Sequence, residues 1–309
     1  MGTMRVLFAT DGSASARNAR DLVRSLAWPD GTTIQVLQVL PPLGALVDFG
    51  GPGRREAIEA TARAALHELS APLRRNGLVV DERLVRGAGV ADLIVTEARK
   101  SNADLVVVGS RGHGTFATIL LGSVGAAVTD HAPCPVLVAR RPRLDRVVFA
   151  EDGSESAFEA RRLLTKWPMF HGLQVRVVSV AHVTRPYQSG ITATVFEGAR
   201  QAEADIVTET RAAHERLAKE SAEQLRLAGV LAQAELRQGD AAVEIVAAAA
   251  HSDADLVVVG SRGRSGVTRA VLGSVARNVL HHAHCSVLIA RPSTAVRIED
   301  AASTSATAH

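Results

Sequence analysis

The chain has 309 residues, 47% hydrophobic, 22% charged and 3% aromatic, with a formal net charge of +3. That is the composition of a soluble globular protein long enough for two cores. With few aromatics to stack bases and no basic run, it argues against a nucleic-acid surface. Two cysteines, Cys134 and Cys285, are too few for a secreted disulfide scaffold and are expected as buried, reduced thiols. No stretch reaches 18 uninterrupted apolar residues, so no membrane span is expected. The N-terminus lacks the basic and apolar regions of a signal peptide, and a cytoplasmic location is the expectation.

Residues 6–9 form a short apolar run that ends in Thr10-Asp11-Gly12-Ser13. This predicts a buried strand, a turn and a helix start. Residues 15–27 read as helix, and residues 33–40 as a second strand stopped by Pro41-Pro42. Residues 54–76 are amphipathic, with Ile58, Ala62, Leu66, Leu69 and Leu73 on one face and Gly77 as a cap. A third strand over 79–85, a helix over 90–100, a strand over 105–108, a helix over 123–130 and a last strand over 136–139 follow. Strands that are apolar throughout and alternate with helices predict a parallel sheet covered on both faces.

The pattern then starts again. Residues 103–112 and 254–263 both read ADLVVVGSRG, ten identical residues 151 positions apart. Leu121-Gly122-Ser123-Val124 matches Leu272-Gly273-Ser274-Val275, and Cys134 matches Cys285, at the same offset. Ala9-Thr10-Asp11-Gly12-Ser13 matches Ala150-Glu151-Asp152-Gly153-Ser154 at an offset of 141. Copies this long are duplicated domains, not solenoid repeats. A longer middle helix in the second copy, over about 199–227, absorbs part of the extra length. Domains are expected over 1–143 and 144–292, joined near Arg140-Arg141-Pro142-Arg143. The tail 293–309 is rich in Ala, Ser and Thr and is expected to be disordered.

In an open parallel sheet, ligands sit at the carboxyl ends of strands. There the first copy places Gly109, Gly112 and Gly122-Ser123, spaced G-x2-G-x9-G-S. The second places Gly260, Gly263 and Gly273-Ser274, spaced identically. Glycines let backbone N–H groups approach phosphate oxygens. The Gly-Ser opens a helix, whose N-terminal N–H groups and dipole favour an anion. A single loop of this kind could equally be a tight turn with a helix cap. Here the glycines and serine persist in both copies while the residues between them differ. Neither a P-loop nor an NAD-type G-x-G-x-x-G is present.

With these motifs, each half resembles the ATP-binding subgroup of the universal stress protein family, over residues 4–140 and 145–291. The resemblance implies two tandem α/β domains of Rossmann-like, adenine nucleotide α-hydrolase-like fold. Each would have a five-stranded parallel sheet flanked by helices, with ATP across the carboxyl ends of the strands and Mg2+ alongside. It implies that Asp11 in the Asp11-Gly12 turn contacts the ribose or the phosphate and metal region, and that Val39 contacts adenine. Gly109, Gly112, Gly122, Ser123 and Val124 would hold the phosphates. The second-copy counterparts are Asp152, Gly153, Val180, Gly260, Gly263, Gly273, Ser274 and Val275. The family's domains pair through their last strands, so an internal pseudo-dimer through residues 136–139 and 287–290 is expected, with a homodimer of chains also open. The function implied is a nucleotide-dependent switch or partner-binding protein in a stress response, its protein partner unidentified. The alternative is a slow ATPase whose hydrolysis drives the cycle.

His113 lies within the first phosphate loop and is a candidate phosphate contact. Arg111 and Arg262 either neutralise phosphate or face solvent. No nucleophile and base set for catalysis is evident, and a dedicated kinase or ligase activity is not expected. His281, His282, His284 and Cys285 straddle a helix end and a strand start, so their side chains should diverge and no metal site is expected. Glu151 stands where the first copy has Thr10. Either its charge faces the second site and makes it cation-dependent, or it points away, since alternate strand residues face opposite sides.

Overall fold

A computed structural model describes residues 3–42, 52–112, 121–182, 197–263 and 272–291. The tail from 293 and the loop residue His113 lie outside the described residues. The first half runs β1 (Arg5–Thr10), α1 (Ala14–Ser25), β2 (Thr33–Leu40), α2 (Pro52–Arg75), β3 (Val79–Arg86), α3 (Val90–Lys100), β4 (Leu105–Gly109), α4 (Ser123–His131) and β5 (Val136–Ala139). The second runs β6 (Arg146–Ala150), α5 (Glu155–Lys166), a 3-10 turn (Pro168–Phe170), β7 (Gln174–Ala181), α6 (Glu197–Leu227), β8 (Leu231–Gln238), α7 (Ala241–His251), β9 (Leu256–Gly260), α8 (Ser274–His282) and β10 (Ser286–Ala290).

The strands of each half are parallel, and the two half-sheets form one ten-stranded sheet ordered β3-β2-β1-β4-β5-β10-β9-β6-β7-β8. The junction is antiparallel: Val138 faces Val287, Leu137 faces Leu288 and Val136 faces Ile289. These are the two apolar edge strands that the sequence sends toward each other, each satisfying the other's unpaired backbone groups.

Alternation along the strands makes two cores. Val6 and Phe8 of β1 face one side with Leu22 and Val23 of α1 and Leu73 of α2, and Phe149 of β6 joins them with Leu164 and Leu225. Leu7 and Ala9 face the other side with Ile94 of α3 and Val128 of α4, in company with Ile245 and Val279 of the second half. Both layers run through both halves. A period of two on the sheet is thus matched by helices on each face.

The expectation of strands apolar throughout fails at the two ends of the sheet. β3 reads Val-Val-Asp-Glu-Arg-Leu-Val-Arg and β8 reads Leu-Ala-Gln-Ala-Glu-Leu-Arg-Gln, and both are largely exposed or half-buried. They have one neighbouring strand each, and charge on an outermost strand discourages pairing with another molecule. Arg176 on β7 donates to Glu235 on β8 at 2.8 Å, and Arg237 to the same carboxylate at 2.6 Å. Among the described residues, no helix is long and apolar enough to cross a membrane.

Candidate functional site

Strand β1 ends in a tight turn because Gly12 has a φ of +77°, and Gly153 repeats it after β6 at +76°. L side chains rarely adopt that region, which makes glycine the suitable residue there. Thr10 Oγ1 accepts the Gly12 N–H at 3.1 Å, and in the second copy Glu151 Oε1 accepts the Gly153 N–H at 2.9 Å. Asp11 accepts from the Ser13 N–H at 2.9 Å, and Asp152 from the Ser154 N–H at 3.0 Å. Each turn therefore presents a carboxylate beside the end of its sheet. Gly12 and Gly153 shape the turns and are not among the residues lining the two cavities.

The serine that closes each turn has two tasks. Ser13 Oγ caps α1 by accepting the Ala16 N–H at 3.2 Å, and donates to the Arg111 carbonyl at 3.3 Å. Ser154 Oγ does the same with Ala157 N–H at 3.1 Å and the Arg262 carbonyl at 3.2 Å. The glycine loop after β4 is thereby fastened to the start of α1. Ser15 Oγ adds a bond from the Arg111 N–H at 3.2 Å. Ser13→Ala is expected to lower stability by about 1 kcal/mol through loss of the cap, read as the shift of the urea unfolding midpoint. An unchanged midpoint would mean that water replaces the hydroxyl at no cost.

The glycines divide by role. A Cβ on Gly112 would lie 2.7 Å from Asp11 Oδ2, and one on Gly263 would lie 3.1 Å from Asp152 Oδ2. These two keep the gap between carboxylate and loop open. Gly109 and Gly260 instead serve packing: a Cβ would meet the Ala16 nitrogen at 3.1 Å in the first copy and the Ser156 backbone at 2.8 Å in the second. They let α1 and α5 close onto the strand ends. The N–H groups of Gly122 and Gly273 are also not offered to a ligand, since they donate to the Ser110 and Ser261 carbonyls at 2.8 Å each. Gly109, Gly112 and Gly122 all line the first cavity, and Gly260, Gly263 and Gly273 the second.

The first turn of the following helix faces the cavity as well. Ser123, Val124 and Gly125 line the first cavity, and Ser274, Val275 and Ala276 the second. The first N–H groups of a helix have no partner within it and carry the positive end of its dipole. Opposite lies an apolar wall: Leu37 and Val39 from β2 with Val90 and Ile94 from α3, answered by Val178, Val180, Ala241 and Ile245. Asp11 and Arg111 stand at the first cavity, Asp152 and Arg262 at the second. An apolar slot beside a cluster of N–H donors suits a flat ring joined to an anion. The volumes differ, about 400 Å³ for the first cavity and about 160 Å³ for the second.

Sequence reasoning located Val39 and Val180 and missed the rest of the apolar wall. The signal was available in Leu37 and Val39, two apart on a strand, and in Val90 and Ile94, four apart on a helix. The fastening serines were likewise legible only as a repeated Asp-Gly-Ser.

Glu151 is 3% exposed, with its carboxylate turned toward α5 and α6. Ser221 Oγ donates to it at 2.5 Å, and Arg161 lies 3.5 Å away. Glu151 lines the second cavity, while its carboxylate is taken up by Ser221 and the Gly153 N–H. Burial raises its pKa, opposed by bonds from Ser221 and the Gly153 N–H and by the Arg161 charge. The native carboxyl thus holds its proton more tightly than the unfolded one, whose ordinary value is 4.5. Stability from this group is full below that value and is lost as pH rises through the higher native value. Urea midpoints of the native chain should therefore fall relative to those of Glu151→Gln above pH 4.5; midpoints that stay parallel to pH 8 would contradict this.

Both cysteines are free and buried, and burial pushes the Cys134 thiol up to about 12 and that of Cys285 to about 11. Unreactive thiols at neutral pH follow. Among the described residues, no three His, Cys, Asp or Glu side chains gather as metal ligands.

The model of the universal stress protein family matches residues 2–140 and again residues 143–291. A universal stress protein of Mycolicibacterium smegmatis is 27% identical over 290 residues, covering 86% of this chain and 83% of that one. One from Thermus aquaticus, encoded in the QAH/OAS sulfhydrylase 3′ region, is 30% identical over 135 residues, 44% of this chain and 97% of that one. The crystal structure of a universal stress protein from Archaeoglobus fulgidus has the same fold, with a TM-score of 0.64 at 19% identity, over 94% of this chain and 99% of that one.

Proposed function

The chain belongs to the universal stress protein family, with one domain of it in each half, and from that premise we propose that it binds ATP in both cavities and acts as a nucleotide-dependent switch for a protein partner in the cytoplasm. The observation that carries this is the two-sided cavity at the carboxyl edge of each half-sheet. Its apolar wall suits adenine, with Val39 and Val180 central to it. The N–H groups of Ser123 and Val124, and of Ser274 and Val275, suit phosphates. Gly112 and Gly263 leave room where any side chain would press on the carboxylate. Asp11 and Asp152, which line the two cavities, would hold Mg2+, which would neutralise phosphate charge when bound. The larger first cavity is expected to bind ATP more tightly.

Support for a switch over a turnover enzyme comes from the lining. Among the described residues, Asp11 and Arg111 are the titratable groups lining the first cavity, and Asp11 is already engaged in its turn. Phosphoryl transfer needs a positioned nucleophile and a charge clamp on the γ-phosphate. Incubation with ATP and Mg2+ followed by acid quenching separates the readings. ATP that persists for hours fits the switch. Conversion to ADP within minutes favours the ATPase, and failure to retain any nucleotide overturns both.

A further inference from the structure

Each half ends its sheet with an arginine, and each arginine reaches into the other half. Arg140 follows β5, and its Nη1 donates to the Cys285 carbonyl at 3.0 Å while Nη2 donates to the Leu280 carbonyl at 2.7 Å. Arg291 follows β10, and its Nη1 donates to the Ala132 carbonyl at 2.7 Å while Nη2 donates to the Thr129 carbonyl. The acceptors lie at or just past the C-terminal ends of α8 and α4. Those are the helices whose first turns line the cavities. Positions 140 and 291 are equivalent in the two copies, so the exchange is reciprocal.

The last carbonyls of a helix lack intrahelical partners and carry the negative end of its dipole. Each guanidinium fork satisfies one of them, Leu280 of α8 or Thr129 of α4, together with a carbonyl just past the helix, Cys285 or Ala132. A nine-residue helix is stiff and only about 13 Å long, so whatever fixes its C-terminus also sets where its N-terminus points. In the first half a further link runs forward: Thr129 Oγ1 donates to the Gly125 carbonyl at 2.6 Å, and Gly125 lines the cavity. Arg277 of α8 adds a bond to Asp130 of α4 at 3.1 Å. Burial lowers the Arg140 guanidinium to about 10, which leaves it charged at neutral pH.

We propose that Arg140 and Arg291 are positioning residues that act across the domain boundary, Arg291 setting the phosphate-facing helix of the first site and Arg140 that of the second. Each site is then completed by the opposite half, and the tandem arrangement is a requirement of binding. This rests on the nucleotide reading of the cavities.

The test is calorimetric titration with ATP and Mg2+ in chains with one site closed. Gly263→Glu leaves the first site, and Gly112→Glu leaves the second. Lysine keeps the positive charge but loses the fork, so Arg291→Lys should weaken the first site roughly three- to tenfold, the scale of one lost hydrogen bond, and leave the second unchanged. Arg140→Lys should do the reverse. Arg291→Met, which removes the charge as well, should weaken the first site further, with circular dichroism melting to establish that each variant is folded. A loss confined to the arginine's own half, an equal loss at both sites, or no loss overturns the proposal. If the single-site chains bind no ATP, the nucleotide reading falls and this proposal with it. If they bind it without the crosswise pattern, only this proposal falls.

Discussion

Gly112→Glu is expected to empty the first cavity of ATP, weakening that site at least about a hundredfold, with the second site left intact. Even a bare Cβ at position 112 would stand 2.7 Å from Asp11 Oδ2. A glutamate adds a second carboxylate beside that one, in a space proposed to receive a polyanion. Like charges a few ångströms apart in a half-buried site cost several kcal/mol between them, and 2.7 kcal/mol is already about a hundredfold in affinity. Gly263→Glu should do the same to the second site, where the clearance from Asp152 is 3.1 Å. Gly112 is exposed and outside both cores, so unfolding should stay close to that of the native chain. Calorimetry on each variant reads the outcome directly. A native stoichiometry in the double variant, with the fold retained, would remove the glycine loops from the binding account.

Val138→Asp is expected to destabilise the whole chain by about 3–5 kcal/mol, the scale of an uncompensated buried charge. Val138 is fully buried and faces Val287 across the antiparallel junction. The matched control is Val79→Asp on the outer strand β3, where the native side chain is 59% exposed. That change should stay within about 0.5 kcal/mol. Urea midpoints of the two variants test the difference. A mild effect at position 138 would mean that the halves do not share a sheet in solution.

Much of this architecture was legible in the residues. Val90–Lys100 and Thr33–Leu40 fall where periodicity and the Pro41-Pro42 stop put them, because an apolar face and a breaker each have a local signal. The duplication made the second half readable from the first. The outer strands β3 and β8 were read too simply, since one sequence cannot say which strands of a parallel sheet lie at its ends. Glu151 was undecidable for a related reason: its direction depends on Ser221 and Arg161, 70 and 10 residues away. The glycines were legible as a motif but not as roles, because close packing of α1 against β4 and close approach of a ligand both require the loss of a Cβ. The crossing arginines were hidden, since nothing local tells Arg140 to seek carbonyls 140 and 145 residues distant.

The central claim is that the two glycine-lined cavities are ATP sites, and equilibrium dialysis of the intact chain against labelled ATP with Mg2+ tests it most directly. Two ATP per chain are expected at saturation, the first filling at lower concentration, with none retained by the Gly112→Glu and Gly263→Glu double variant. No saturable binding to the native chain, or binding that survives in the double variant, would contradict it.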